Sequence, residues 1–256
     1  MSGATKLGRA QVVAPVADLL NRPGGARQRQ LLFGDQVDVL DREEGYASVL
    51  ALKDGYGGYI RRDQLGPVAV PTHRVQALAT HLYERPDFKS PDVAGLSFGS
   101  QLCIEAVEGA FSRLREGVWV PSVHIAKLHR TFRDPAGVAE LFLGTPYLWG
   151  GNSRLGLDCS GLVQTALLAC GVECPGDSGD QESAVGQKVA DDQPLVRGDL
   201  LFWKGHVAMA VDAERLIHAT AFRMATIYEP AADAARRILS QGGGAMTSRR
   251  RLTLPE

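Results

Sequence analysis

The sequence predicts an α+β chain in which two small β-barrels precede a domain built from a cysteine-bearing helix and a sheet. Three observations carry this expectation. A module of about 60 residues occurs twice in the amino-terminal half, Asp158-Cys159-Ser160-Gly161-Leu162-Val163-Gln164 opens a helix, and two apolar strands beyond it carry His206 and His218.

The repeat is explicit. Leu31-Leu32-Phe33-Gly34-Asp35-Gln36-Val37-Asp38-Val39 is echoed by Leu96-Ser97-Phe98-Gly99-Ser100-Gln101-Leu102-Cys103-Ile104 at an offset of 65, and Arg22-Pro23 by Arg85-Pro86 at an offset of 63. Gly58-Tyr59-Ile60 before Leu65 matches Val118-Trp119-Val120 before Leu128. Short strands of alternating apolar residues between Gly, Pro and Asp turns read as barrels filled by Leu, Val and Phe. The expected domains are residues 8–68, 70–129 and 130–256, with Leu65-Gly66-Pro67-Val68-Ala69-Val70-Pro71 linking the first two.

In the third domain Asp158 is a good N-cap, and Leu162, Val163, Ala166 and Leu167 recur at helical spacing until Gly171, so the helix spans about Cys159 to Cys170. A helix start carries roughly half a positive charge and unpaired N–H groups, which favour a thiolate and can hold an oxyanion. A lone cysteine also reads as a small buried residue, and the histidines decide. Residues 197–212 read as turn, short strand, turn and a second strand opening with His206, and Arg215-Leu216-Ile217-His218-Ala219-Thr220 reads as a third. The histidines lie 12 residues apart, so an even-sum antiparallel register places both rings on one sheet face. Cys159, His206 and His218 form a candidate nucleophile, base and orienter, the papain-like logic on an α+β scaffold. Tyr147 is a candidate oxyanion donor beside the Cys159 N–H, and reads otherwise as a half-buried core aromatic.

Tyr147-Leu148-Trp149-Gly150-Gly151, Leu157-Asp158-Cys159-Ser160-Gly161-Leu162-Val163-Gln164, Arg197-Gly198-Asp199-Leu200 with Gly205-His206-Val207, and Ile217-His218-Ala219 resemble the successive motifs of the NlpC family of bacterial cell-wall cysteine peptidases over roughly residues 130–228. The resemblance implies Cys159 as nucleophile, His206 as base, His218 as third member and Tyr147 at the oxyanion hole. It also implies cleavage of murein stem peptides from D-γ-glutamyl to a diamino acid. The repeated modules resemble bacterial SH3-like domains. The whole layout resembles a dipeptidyl-peptidase subgroup acting on murein peptides with a free N-terminal L-Ala, in which the first barrel contributes a tyrosine and an acid to the cleft. Tyr56, in Lys53-Asp54-Gly55-Tyr56-Gly57-Gly58-Tyr59, is the candidate tyrosine, and reads equally as a turn residue covering a barrel end. Asp158 and Ser160 are the other candidate substrate-binding residues, Asp158 facing a substrate ammonium as well as capping its helix. In Pro175-Gly176-Asp177-Ser178-Gly179-Asp180-Gln181, expected as a cleft loop, Gly176 stands where relatives usually carry arginine, so a substrate carboxylate would need another cation such as Arg154.

With 256 residues, 45% hydrophobic and 22% charged, the chain can bury two or three cores, and its formal net charge of -1 gives no electrostatic case for nucleic acid or an anionic membrane. The first twenty residues lack a continuous apolar run, so neither signal peptide nor span is expected, and the location is expected to be cytoplasmic. Peptides released by wall turnover are then the logical substrate. No cofactor is expected. Cys170 and Cys174 have a C-x-x-x-C spacing without a second pair or nearby histidine, so no metal is expected, and the four cysteines read as reduced thiols. His73, His81, His124 and His129 receive no role. Arg249-Arg250-Arg251-Leu252-Thr253 reads as a last edge strand. Two other functions fit less well: a non-catalytic binder of wall peptides, against which Cys159, His206 and His218 argue, and an amidase or acyltransferase acting on another amide.

Overall fold

Turn-forming residues interrupt the apolar alternation of the amino-terminal half every few positions, and the strands are correspondingly short. The computed structural model describes residues 6–190 and 192–255. The reading of the first twenty residues falls partly on 1–5, outside the described residues. The chain divides into two units, Met1–Arg130 and Thr131–Glu256.

In the first module β1 (Gly8–Val12), β2 (Val16–Leu20), β3 (Arg27–Leu32), β4 (Gln36–Glu43), β5 (Tyr46–Ala51), β6 (Gly57–Arg61) and β7 (Leu65–Gly66) pair in the order β3-β2-β6-β5-β4-β1-β7. In the second, β8 (His73–Val75), β9 (Ala79–Tyr83), β10 (Asp92–Ser97), β11 (Gln101–Leu102), β12 (Ile104–Glu108), β13 (Phe111–Leu114), β14 (Trp119–Pro121) and β15 (Ile125–Lys127) form β10-β9-β14-β13-β12 and β11-β8-β15. The repeat extends to individual hydrogen bonds. Val12 N–H donates to the Asp35 carbonyl and Val75 N–H to that of Ser100, both at 2.9 Å, while Gly34 and Gly99 N–H donate back to Val12 and Val75. Gly34 and Gly99 have φ of 87° and 88°, a left-handed conformation that only glycine adopts without strain. The cores correspond as well: Val12, Leu19, Leu31, Val37, Val49 and Ile60 in one, Val75, Leu82, Leu96, Leu102, Leu114 and Val120 in the other. At the carboxyl end the match differs from expectation. After equivalent 3-10 turns at Arg62–Gln64 and Ser122–His124, Leu65 corresponds to Ile125, not to Leu128.

The second unit contains α1 (Pro135–Glu140), the ribbon β16 (Asn152–Ser153) and β17 (Gly156–Leu157), α2 (Cys159–Ala169) and α3 (Ser178–Ala184). Its sheet comprises β18 (Gln187–Lys188), β19 (Leu200–Trp203), β20 (His206–Ala210), β21 (Arg215–Thr220), β22 (Ala225–Pro230) and β23 (Ser248–Arg251), in the order β18-β23-β19-β20-β21-β22, with α4 (Ala231–Ser240) between the last two in sequence. One sheet face packs Leu201, Trp203, Ala208, Ala210 and Leu216 against Ala234 and Ile238 of α4. This is the papain-like α+β arrangement expected. Two elements depart from expectation. The tail strand β23 lies inside the sheet, between β18 and β19, because Arg251 binds buried Asp199 through two hydrogen bonds of 2.8 Å and Arg249 is itself 5% exposed. The cleft loop at 175–181 turns into α3 at Ser178. No helix among the described residues is long and apolar enough to cross a membrane.

Candidate active site

The first turn of α2 is held by its own cap. Asp158 is extended (φ -95°, ψ 177°), and its Oδ1 accepts from the Gly161 N–H at 2.6 Å and the Ser160 hydroxyl at 3.1 Å, while Oδ2 accepts from the Gly150 N–H at 3.0 Å. The glycines allow this approach: a Cβ on Gly161 would lie 2.4 Å from the Gly151 carbonyl oxygen. The tight turn therefore fixes Cys159 at the first helical position, where the backbone N–H has no intrahelical acceptor. Asn152 donates to Gln164 at 3.0 Å and Gln164 to the Cys174 carbonyl, tying the helix to the chain on either side.

The histidines come from adjacent strands. Met209 pairs with Ile217 and Ala210 with Leu216, so His206 and His218 share a sheet face on a diagonal. His206 Nε2 lies 2.8 Å from His218 Nδ1, the rings meeting edge to face with centroids 5.1 Å apart. Tyr147, Cys159 and His206 line one cleft of about 280 Å³, together with Thr220, Phe222, Arg237 and Gln241. Burial, the neighbouring His218 and the Arg237 charge push His206 down to about 3, and burial pushes His218 down to about 4, with Glu229 opposing and Arg237 adding. Both rings are therefore neutral at pH 7. Burial, with Cys159 and Asp158 nearby, pushes the Tyr147 hydroxyl up to about 12, so it remains a hydrogen-bond donor.

Of the candidate residues, Tyr147, Cys159 and His206 share the cleft and His218 stands behind His206. Asp158 and Ser160 are 4% and 5% exposed and bonded to each other, so each braces the cysteine turn instead of opening onto the cleft. Tyr56 belongs to the other unit, where it precedes β6, packs on the first barrel core and lies under Arg29, 5.3 Å from guanidinium carbon to ring centre. Arg154 sits half-buried in the turn between β16 and β17, and the Gly176 carbonyl accepts from Gln181. Gln181, completely buried, also donates to the Ser160 carbonyl at 3.0 Å. Sequence reasoning missed Gln181, Glu229 and Arg237. Glu229 was legible in part, because an antiparallel strand after His218 must present alternate side chains on the histidine face. All four cysteines are thiols, and among the described residues no cluster of metal-ligating side chains occurs.

Residues 144–235 match the NlpC/P60 family model, and 19–65 match the bacterial dipeptidyl-peptidase SH3 domain. A γ-D-glutamyl-L-lysine dipeptidyl-peptidase of Bacillus subtilis is 31% identical over 251 residues, covering 84% of this chain and 82% of the relative. The chain belongs to the NlpC/P60 family. It is accordingly a cysteine peptidase. Dipeptidyl-peptidase 6 of Lysinibacillus sphaericus is 27% identical, covering 82% of this chain and 87% of that one. A crystal structure of an NlpC/P60 family protein from Bacillus cereus has the same fold, with a TM-score of 0.80 at 22% identity over 97% of this chain and 100% of that chain.

Proposed function

We propose that this NlpC/P60 peptidase hydrolyses the γ-D-glutamyl to diamino acid bond of murein peptides with a free N-terminal L-Ala, serving cell-wall peptide recycling in the cytoplasm. The observation that carries the chemistry is the 2.8 Å pairing of His206 with His218 in a cleft shared by Cys159 and Tyr147. Neutral His206 takes the Cys159 proton as the sulfur attacks the amide carbon, and His218 stabilises the resulting imidazolium. The oxyanion is held by the Cys159 N–H at the helix start and by the Tyr147 hydroxyl. His206 then returns the proton to the leaving amine, and water attacks the thioester by the reverse path. The substrate class is supported by the similarity to the γ-D-glutamyl-L-lysine dipeptidyl-peptidase of Bacillus subtilis and by the match of the first module to a dipeptidyl-peptidase SH3 domain.

Tyr56 is the candidate for selecting the free amino terminus. L-Ala-γ-D-Glu-diamino-acid peptides are expected to be cut to a dipeptide plus remainder, and their N-acetylated forms to react about a hundredfold more slowly, the loss of a charge-assisted contact. Rates on both forms, in wild type and Tyr56→Ala, test this. Equal rates in wild type would reduce the reading to a general murein peptidase.

A further inference from the structure

Behind the histidine pair lies a carboxylate that the mechanism above does not use. Ile227 pairs with His218, so Glu229, two residues on, shares the histidine face of the sheet. His218 Nε2 lies 3.1 Å from Glu229 Oε2, with the histidine side chain fully buried and the glutamate 13% exposed. The approach misses hydrogen-bond geometry, yet among the described residues this buried nitrogen has no other partner, and an anion 3.1 Å away favours a proton over a lone pair on the nitrogen it faces. Arg237 of α4 fixes the carboxylate from the other side with a two-pronged grip, Nε to Oε1 at 2.9 Å and Nη2 to Oε2 at 2.7 Å. Its third nitrogen donates to Gln241 at 3.1 Å and its plane lies over Phe222 at 4.4 Å, so the guanidinium is itself held.

We infer that Glu229, held by Arg237, sets the tautomer of both histidines and so decides whether His206 Nδ1, the nitrogen not held by His218, is free to take the thiol proton. An ionised carboxylate only accepts, so the proton of His218 sits on Nε2 and its Nδ1 is a lone pair. That lone pair can only accept from His206 Nε2, which places the His206 proton there and leaves His206 Nδ1 bare on the cleft side. A bare Nδ1 is what a base for Cys159 requires. Reversing the order, with His218 carrying its proton on Nδ1, would place the His206 proton on Nδ1 and block it. Glu229 and Arg237 are positioning residues on this account, since neither touches the reacting atoms.

The inference rests on the catalytic reading of His206, and the experiment separates the two. Nitrogen-15 histidine spectra of the full chain at pH 7.5, assigned with His206→Gln and His218→Gln, are expected to show Nε2–H tautomers at both positions. In Glu229→Gln, whose amide can donate or accept, both histidines should shift towards Nδ1–H, with kcat falling tenfold or more and KM nearly unchanged. Glu229→Asp, which keeps the charge, should recover part of the rate. The groups facing the pair are Glu229 from β22, Arg237 from α4, Cys159 from α2 and Tyr147. Removing the Glu229 charge should move the histidine titrations and the pH–rate profile down, and Arg237→Gln should move them up, whereas a merely structural loss would move neither. If Glu229→Gln fails to fold, the Arg237→Gln shift decides. Unchanged tautomers, or a profile fixed in both variants, would overturn the tautomer inference and leave the catalytic reading intact. Full turnover in Cys159→Ala would overturn the catalytic reading instead.

Discussion

At the scale of the residue, the proposed chemistry depends on one sulfur, that of Cys159. Cys159→Ala is expected to lower turnover by at least about a thousandfold without changing the melting temperature appreciably, while His218→Ala loses less than His206→Ala, because orienting groups are partly replaceable. Exposure and activation can be separated here. Cys103 is more exposed than Cys159, which is 7% accessible, and Cys170 and Cys174 are 2% accessible. Brief iodoacetamide treatment at pH 7 followed by peptide mapping should nevertheless label Cys159 first, because the helix start stabilises its thiolate. Labelling that follows exposure, Cys103 ahead of Cys159, would remove the claim of activation.

At the scale of the element, buried ionic and capping groups determine where strands and helices end. Asp199, 1% exposed, accepts from Arg251 twice and from the Val196 N–H, and lies 3.9 Å from buried Arg249. Asp199→Ala would strand those cations, so urea unfolding should show a loss of about 3–5 kcal/mol, with β23 detaching first in hydrogen exchange. The same motif reaches α1 through Arg197, which bonds to both Asp134 and Glu140. Asp158→Ala should cost about 1–3 kcal/mol, from the lost cap and three unsatisfied donors, and should slow turnover by displacing the cysteine turn.

At the scale of the whole molecule, the histidine pair couples stability to pH. An unfolded histidine titrates near 6.5, whereas His206 and His218 are held down to about 3 and about 4 in the fold. The unfolded state therefore binds more protons between pH 6.5 and about 4, and stability falls as pH falls through that window. His73, lowered by burial and by Lys127, acts in the same direction. Urea midpoints measured from pH 7.5 to 4.5 should decline, and the decline should flatten in a His206→Gln, His218→Gln double variant. A slope unchanged by those substitutions would assign the acid loss to other groups.

What the sequence determined by itself was local and periodic: the duplicated barrel module, visible because equivalent core residues and the Gly34 and Gly99 turns recur in order; the capped helix, visible because Asp158 and Gly171 bracket an apolar run; and the face shared by His206 and His218, visible because strand side chains alternate. Tertiary structure decided what depends on neighbours distant in sequence. The Asp158 carboxylate is used up by Gly150, Ser160 and Gly161 because the glycine loop folds onto the helix start. The arginine tail is interior because Asp199, 52 residues before Arg251, is buried there and takes both Arg251 hydrogen bonds. Glu229 meets His218 because strand register brings them together, and Arg237 reaches Glu229 because the helix α4 returns over the same sheet face. Local pattern sets which side of a strand a residue faces; only packing sets which charge it meets there.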